Sequence, residues 1–593
     1  MKRDPEPDVR YAVGLDIGDG ESALCWLRTN DRETADVFVR APDGRSVVTA
    51  TALERGTGPG GANRRVIGEA AVLVKDGVQF SVNFKSPPDP LGLDTPEAVL
   101  FAQVLLTEFF AAHPEVRDDC TVYVGHPTGW EPEVVAPYGE HLASLRVPVR
   151  LMPESQSALV HVRDRRAERR GGQGLSQVLV VDVGSSTTDV TFVDDLRPRN
   201  LAVGSALGCR EIEETLVGRA LEELKNDGAF CRAVAESGGT DILRLLCRRM
   251  KEAQFTGEPE KFLNVFSSCD PQYTAIVSTG LPWLRGVEIP RQVVEAPGGW
   301  ADRFRALLEE VREHLAAQRP ELVVLTGGGS RMPVVRDISR SVFPEAVVEN
   351  DNDPALTVAR GLASVGRHRV AMDRFREDIA ALQDLPAFKK AIHGALLSAF
   401  SRVRSNLRDR LVKQDGGAAE SDQEIDDLIH EIARMDKVLD DLHVSIVAAL
   451  TPLVLGICSS YGIRDDQFPM VFEVPDLVGT SMQDRIRGIW QQISAAQAVH
   501  STVTSLAGTA VLAARGLLRN SSHPVQFVAG TAAVVAAVGG AKGAQLLARR
   551  RLEKTLETAE LDHDETVRLV GQVAQAVTVQ MDARALEVER YLF

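Results

Sequence analysis

Between residues 10 and 365, short apolar runs alternate with longer amphipathic stretches. Tyr11–Leu15, Thr121–Val124, Val178–Val181 and Leu322–Leu325 are rich in β-branched and aliphatic residues, and Gly or Pro follows each of them. Short runs bounded by turn formers predict strands. Helix patterns lie between them. Thr95–Ala111 is one, with Thr95 as its cap and Pro96 behind it. The alternation predicts an α/β region.

After about residue 370 the pattern changes, and a period near 3.6 dominates. Phe468–Val474 is the one strand candidate left. Ser421 and Glu424 form a capping box ahead of a stripe of Ile425, Leu428, Ile429, Ile432, Met435, Leu439 and Leu442. A second amphipathic helix is predicted over Glu565–Asp582, with Val567, Val570, Val573, Val577 and Met581 on its apolar face. Lys413–Glu420, with Gly416-Gly417, reads as a flexible connection.

One pattern occurs twice. Val13-Gly-Leu-Asp-Ile-Gly-Asp-Gly-Glu-Ser22 and Val180-Val-Asp-Val-Gly-Ser-Ser-Thr-Thr-Asp189 each run strand, Asp, aliphatic residue, Gly and small polar turn. Second strands follow at Ala23–Leu27 and Val190–Val193. Asp16 and Asp182 stand 166 residues apart, so a duplicated domain with a site between its halves is expected. A tight Gly-containing hairpin presents backbone N–H groups to an anion, and small side chains let phosphate come close. An Asp just before such a turn suits Mg²⁺, which prefers carboxylates and keeps several waters. A third motif, Leu322-Val-Val-Leu-Thr-Gly-Gly-Gly-Ser-Arg-Met-Pro333, passes from strand through a Gly-rich turn into a helix beginning at Val334. That arrangement aims amide donors and a helix N-terminus at one point.

Composition narrows the reading. The chain has 593 residues, enough for about two to four folding units, and its 44% apolar and 25% charged content is that of a globular protein. A net charge of −16 argues against a nucleic-acid partner. Cys25, Cys120, Cys209, Cys231, Cys247, Cys269 and Cys458 show no Cys-x-x-Cys spacing, which predicts reduced thiols, a cytoplasmic setting and no zinc site. The charged start, Met1-Lys-Arg-Asp-Pro-Glu-Pro-Asp8, predicts no secretory signal.

In this order, the three turns resemble phosphate-1, phosphate-2 and adenosine of the actin-like ATPase superfamily, most closely its heat-shock protein 70 (DnaK-type) branch. Phe80-Ser-Val-Asn-Phe-Lys85, Val124-Gly-His-Pro127, Leu151-Met-Pro-Glu-Ser155, Cys247-Arg-Arg-Met-Lys251 and Asp353–Gly361 resemble further segments of that branch. The resemblance covers residues 10–368. It implies a two-lobed, duplicated ribonuclease-H-like α/β domain, followed over 369–593 by a mostly α-helical effector region. The cofactors it implies are ATP or ADP and Mg²⁺, with Asp16 and Asp182 on the metal side. Lys85, Glu154, Thr187 and Asp189 would surround the γ-phosphate and attacking water. Gly18, Asp19, Gly20, Gly184, Ser185 and Ser186 would form the phosphate turns. Gly327, Gly328 and Gly329 would pass under the α-phosphate and ribose, with Arg331 beside the adenine and Lys251 reaching the ribose or adenine.

Asp19 stands where the family carries a Thr. A carboxylate there repels the γ-phosphate unless it is metal-bridged or turned away, so slow hydrolysis is expected. Ser185-Ser186 replace a Gly pair, Arg248 replaces a Glu, and Cys209 interrupts a Gly-Gly. The expected function is a chaperone-like nucleotide switch coupled to a helical region that holds a protein partner. The alternatives are a filament-forming or membrane-associated actin-like scaffold and a small-molecule phosphotransferase.

Two further segments complete the sequence reading. Arg163, Arg165, Arg166, Arg169 and Arg170 read as a solvated helix end. Residues 503–548 hold two Ala/Gly/Val-rich runs separated by Arg519–Pro524 and followed by Arg549-Arg550-Arg551. They suit a buried helical hairpin, a hairpin inserted into a membrane surface, or a span. Oligomeric state is not legible.

Overall fold

The computed structural model describes residues 9–470, apart from 32, 41–45, 57–60, 76, 78, 86–94, 171–176, 195–196, 202, 204–205, 317, 414–434 and 466, and beyond them residues 554 and 563–592. The 503–548 runs, the 421–424 capping box and the Gly416-Gly417 connection lie outside these residues. The chain is mixed α/β, with several sheets and many helices, and divides into two compact units, Met1–Asp373 with Glu589–Phe593 and Arg374–Val588.

In chain order the strands are β1 (Tyr11–Ile17), β2 (Glu21–Arg28), β3 (Asp36–Val37), β4 (Val47–Val48), β5 (Ala50–Glu54), β6 (Arg64–Ile67) and β7 (Phe80–Val82). They continue with β8 (Cys120–His126), β9 (Val149–Pro153), β10 (Gln177–Val183), β11 (Thr188–Asp194), β12 (Arg197–Leu201), β13 (Leu322–Thr326) and β14 (Val347–Asn350). One sheet has the order β3-β2-β1-β8-β9 with β4 beside β2; another is β12-β11-β10-β13-β14; a small one is β6-β5-β7. The first two share a plan. A hairpin (β1–β2, β10–β11) extends through an antiparallel strand on one side and two parallel strands on the other.

Strand alternation sorts the side chains of both sheets. Tyr11, Val13, Leu15 and Ile17 of β1 pack with Val99, Ala102, Leu105 and Phe109 of the helix Glu97–Ala112. On β10, Leu179, Val181 and Val183 pack with Leu216, Leu246 and Phe304 from the helices of residues 210–315. The opposite parity, Ala12 and Tyr123 from one sheet and Val178, Val180, Leu322 and Val324 from the other, enters one shared core. The helix Glu154–Arg170 and the helix Thr357–Ala381 contribute Ala158, Val162, Ala359 and Leu362 to that core. Asp16 and Asp182 have this inner parity, so both strands deliver a carboxylate to the same side.

The second unit is helical where described, with Pro386–Lys413, Met435–Ser460 and the helix His563–Leu592 up to Val588 as its long elements. Leu442, Ile446, Leu450, Val454 and Cys458 recur every four residues on the middle helix and are all buried. By length and composition Leu442–Ser460 (mean hydropathy 2.0) could cross a membrane, a test that the core helix of a soluble protein also passes. Phe375 meets Tyr461 and Phe468 edge-on at 5.5 and 5.7 Å, and Arg376 pairs with Asp582 at 2.9 Å.

Some local expectations are corrected. The first long helix starts at Glu97 with Pro96 as its cap residue and no side-chain capping bond, so Thr95 does not cap it. Val567 is 58% exposed, whereas Val570, Val573, Val577 and Met581 are buried; the apolar stripe begins a turn later. Of the Phe468–Val474 strand candidate, residues 468–470 are not strand, and 471–474 lie outside the described residues. Arg163 and Arg165 are half-buried rather than solvated, and Arg165 pairs with the buried Asp351.

Candidate functional site

The two hairpins close in the same register. Ile17 pairs with Ser22 and Val183 with Thr188, leaving Gly18–Glu21 and Gly184–Thr187 as the turns. Asp16 and Asp182 each sit one residue before the closing pair, opposite Ala23 and Asp189 respectively. Asp182 also lies beside Thr326, the last residue of β13, after which the chain turns at Gly327. Gly327 has φ +77°, and a Cβ there would press on Asp182 Oδ1 and lie 2.5 Å from Val183 O. Only glycine fits this approach without strain. A short turn, Gly328–Arg331, then leads into the helix Pro333–Val342.

The inner side of these turns collects charge. Lys85, just beyond β7, places its buried ammonium on Glu154 Oε1 and 4.0 Å from Asp16 Oδ1. Glu154 is the first residue of its helix, where a carboxylate suits the helix dipole. Burial works against the Lys85 ammonium, but Glu154 and Asp16 outweigh it and hold its pKa above the usual value. Burial, with Glu154 adding repulsion and Lys85 opposing, pushes Asp16 up to about 7. Burial raises Asp182 well above the carboxylate range, reinforced by Glu154, Asp189 and Asp16. Burial and Glu154 raise Asp189 to about 6, against a hydrogen bond from Thr187 Oγ1 at 2.9 Å. Four carboxylates thus share a partly desolvated space with one lysine, and a cation there would relieve their repulsion.

Among the described residues no three His, Cys, Asp or Glu side chains are arranged as direct ligands of a metal ion. The set fits a hard cation held through its own waters, the usual habit of Mg²⁺. Ser185 Oγ, in the second turn, is buried with no hydrogen-bond partner and faces Gly20 of the first turn. An acceptor at that point would satisfy it.

Asp19 is turned away from the carboxylate cluster. Its Oδ1 accepts the Lys85 backbone N–H at 2.7 Å, and its Oδ2 accepts from Arg210 Nη1 at 2.8 Å. Arg248 spans the same turn from the helix Gly239–Thr256, donating to Asp19 O at 3.0 Å, to Gly20 O at 3.4 Å and to Asn83 Oδ1. Its other edge binds Glu213 at 3.1 Å, and Lys251 reaches that carboxylate at 2.8 Å. Burial would raise the Glu213 pKa, but Arg248 and Lys251 outweigh it and hold it low.

The structure therefore brings together Asp16, Lys85, Glu154, Asp182, Thr187 and Asp189, with Gly18, Asp19, Gly20, Gly184, Ser185, Ser186 and Gly327 in the turns around them. Lys251 is engaged in a separate buried ion pair, and Arg331 approaches Glu21 at 3.7 Å. A built Cβ on Gly328 meets nothing within 4 Å, while one on Gly329 would meet Cys209 and Val183. Arg210 and Glu213, on one helix, were not anticipated; they lie 191 and 35 residues from Asp19 and Arg248, the groups they engage, and no local motif marks them. Asn83 lies within the Phe80–Lys85 segment, but its bond from Arg248 was not anticipated. No protein-family model matches the chain, and no curated protein shows significant similarity to it.

Proposed function

We propose that residues 10–368 form a two-lobed, actin-like nucleotide-binding domain of the DnaK type, a Mg²⁺-dependent ATPase. The helical region after it would be the element whose hold on a protein partner responds to the nucleotide. The observation that carries this reading is the repeated aspartate: two sheets of one plan each place a carboxylate of the same parity one residue before a hairpin closes. Beside them lie Lys85, Glu154, Asp189 and the Gly327 turn, which together supply the groups that phosphoryl transfer to water requires.

In this reading Asp16 and Asp182 hold the water shell of the cation. The nucleotide would supply the reactive phosphorus, and Mg²⁺ the positive charge that offsets the carboxylates and phosphates. Lys85, fixed by Glu154, presents a permanent positive charge. Asp189, oriented by Thr187, and Glu154 are the acceptors able to align a water for attack. The turn amides and the Gly327–Gly329 backbone cradle phosphate oxygens, so catalysis rests on positioning and electrostatics rather than a covalent intermediate.

The test is phosphate release and nucleotide binding by the full-length protein and by Asp182→Ala. Loss of Mg²⁺-dependent binding and turnover in the variant supports the site; unchanged affinity and turnover removes it.

A further inference from the structure

Among the described residues, Arg210 ties the two hairpin turns directly to each other through both its backbone and its side chain. Its backbone N–H donates to Ser185 O in the second turn at 2.7 Å, while its guanidinium pairs with Asp19 in the first at 2.8 Å. The backbone anchor is tight. The preceding Cys209 N–H donates to Gly184 O at 3.1 Å, and a Cβ on Gly208 would fall within 2.6 Å of Ser186 O. Trp300 Nε1 fixes the same loop by donating to Gly208 O at 3.0 Å.

The side chain is held differently. Arg210 is 35% exposed against 0% for Asp19, and its Nε and Nη2 take no partner among the described residues. A guanidinium offers five donors in a planar fork suited to two-pronged grip on carboxylate or phosphate. Here one nitrogen is used. Asp19 has a second anchor, the Lys85 backbone N–H, and stays in place if Arg210 leaves.

Resting on the nucleotide reading above, we infer that Arg210 is a phosphate-sensing residue, with the Asp19 carboxylate occupying its guanidinium until a terminal phosphate competes for it. A γ-phosphate between the turns offers more negative charge and more acceptor oxygens than one carboxylate, so Arg210 exchanges partners. A nucleoside diphosphate lacks that group and leaves the Arg210–Asp19 pair intact. The exchange makes Arg210 a specificity residue for triphosphate over diphosphate. It also explains how an acidic residue is tolerated in a phosphate turn: its charge is already balanced by a cation that the ligand can recruit.

Calorimetric titration of the full-length protein with ATP and with ADP, each with Mg²⁺, tests this. Arg210→Ala should weaken ATP binding by about tenfold, the size expected for a lost charge-assisted hydrogen bond, and leave ADP within about twofold. Arg210→Lys should restore part of the ATP affinity. Asp19→Asn keeps the bond from Lys85 but removes the competitor, so it should tighten ATP and not ADP. Equal losses for both nucleotides in Arg210→Ala, or weaker ATP binding by Asp19→Asn, overturn the inference while leaving the nucleotide site standing. A wild-type protein that binds neither nucleotide overturns the nucleotide reading itself and this inference with it.

Discussion

The two hairpins have the same backbone register and opposite ways of managing charge. In the first, Asp16 faces the neutral Ala23 and has Lys85 nearby, and the turn carries Asp19, balanced by Arg210 and crossed by Arg248. In the second, Asp182 faces another carboxylate, Asp189, with no cation paired to it among the described residues, and the turn is made of small residues anchored through the backbone of Gly208–Arg210. A register can therefore be copied while the electrostatics diverge, because pairing is set by main-chain groups and charge by side chains arriving from elsewhere. Lys85, Arg210 and Arg248, from segments outside both hairpins, meet the first, while the paired carboxylates of the second take no ion-pair cation among the described residues.

The largest stability effect expected lies beside the second hairpin, in the turn that follows β13. Gly327→Ala forces a Cβ at positive φ against Asp182 and Val183, and should cost about 2–3 kcal/mol in chemical denaturation. A cost below about 0.5 kcal/mol would mean that the turn is loosely held.

Next comes the relief of repulsion in the first hairpin. Asp16→Asn should stabilise the nucleotide-free protein at pH 8 by about 1–2 kcal/mol while weakening Mg²⁺-nucleotide binding, the opposed pattern expected of a functional charge. The same shift sets a pH dependence. Asp16 and Asp189 titrate near 7 and 6 when folded, above the 3.8 of a free carboxyl. The folded state thus keeps protons that the unfolded chain releases, so these groups stabilise most below about pH 4 and lose that contribution as pH rises to about 7. Thermal melts of wild type and Asp16→Asn across this range should diverge as pH rises; parallel curves would show that the carboxylates do not repel.

The smallest effect belongs to Arg331. Its 3.7 Å approach to Glu21 is half exposed, so Arg331→Ala should change stability by less than about 0.5 kcal/mol. A larger loss would make it a structural link between β2 and the third turn.

Much of the frame was legible because it is local. Apolar runs ending in Gly or Pro marked β1, β8, β10 and β13, and the repeated Asp–aliphatic–Gly order marked equivalent turns. The partners of Asp19 were not legible: Arg210 lies 191 residues away, and an Arg opening a helix has no sequence signature for what its tip will touch. Lys251 looked free to meet a ligand because its buried partner Glu213 lies 38 residues earlier. Val567 was misassigned because a valine at helical spacing does not reveal where packing against the next helix begins.

The most direct test of the central claim is a calorimetric titration of the full-length protein with ATP at pH 8, with Mg²⁺ and with a chelator in its place. The account predicts saturable binding of one nucleotide that requires the divalent cation and weakens as pH falls through about 7, where Asp16 takes up its proton. Absence of binding with Mg²⁺ present, or binding indifferent to the cation, would contradict it.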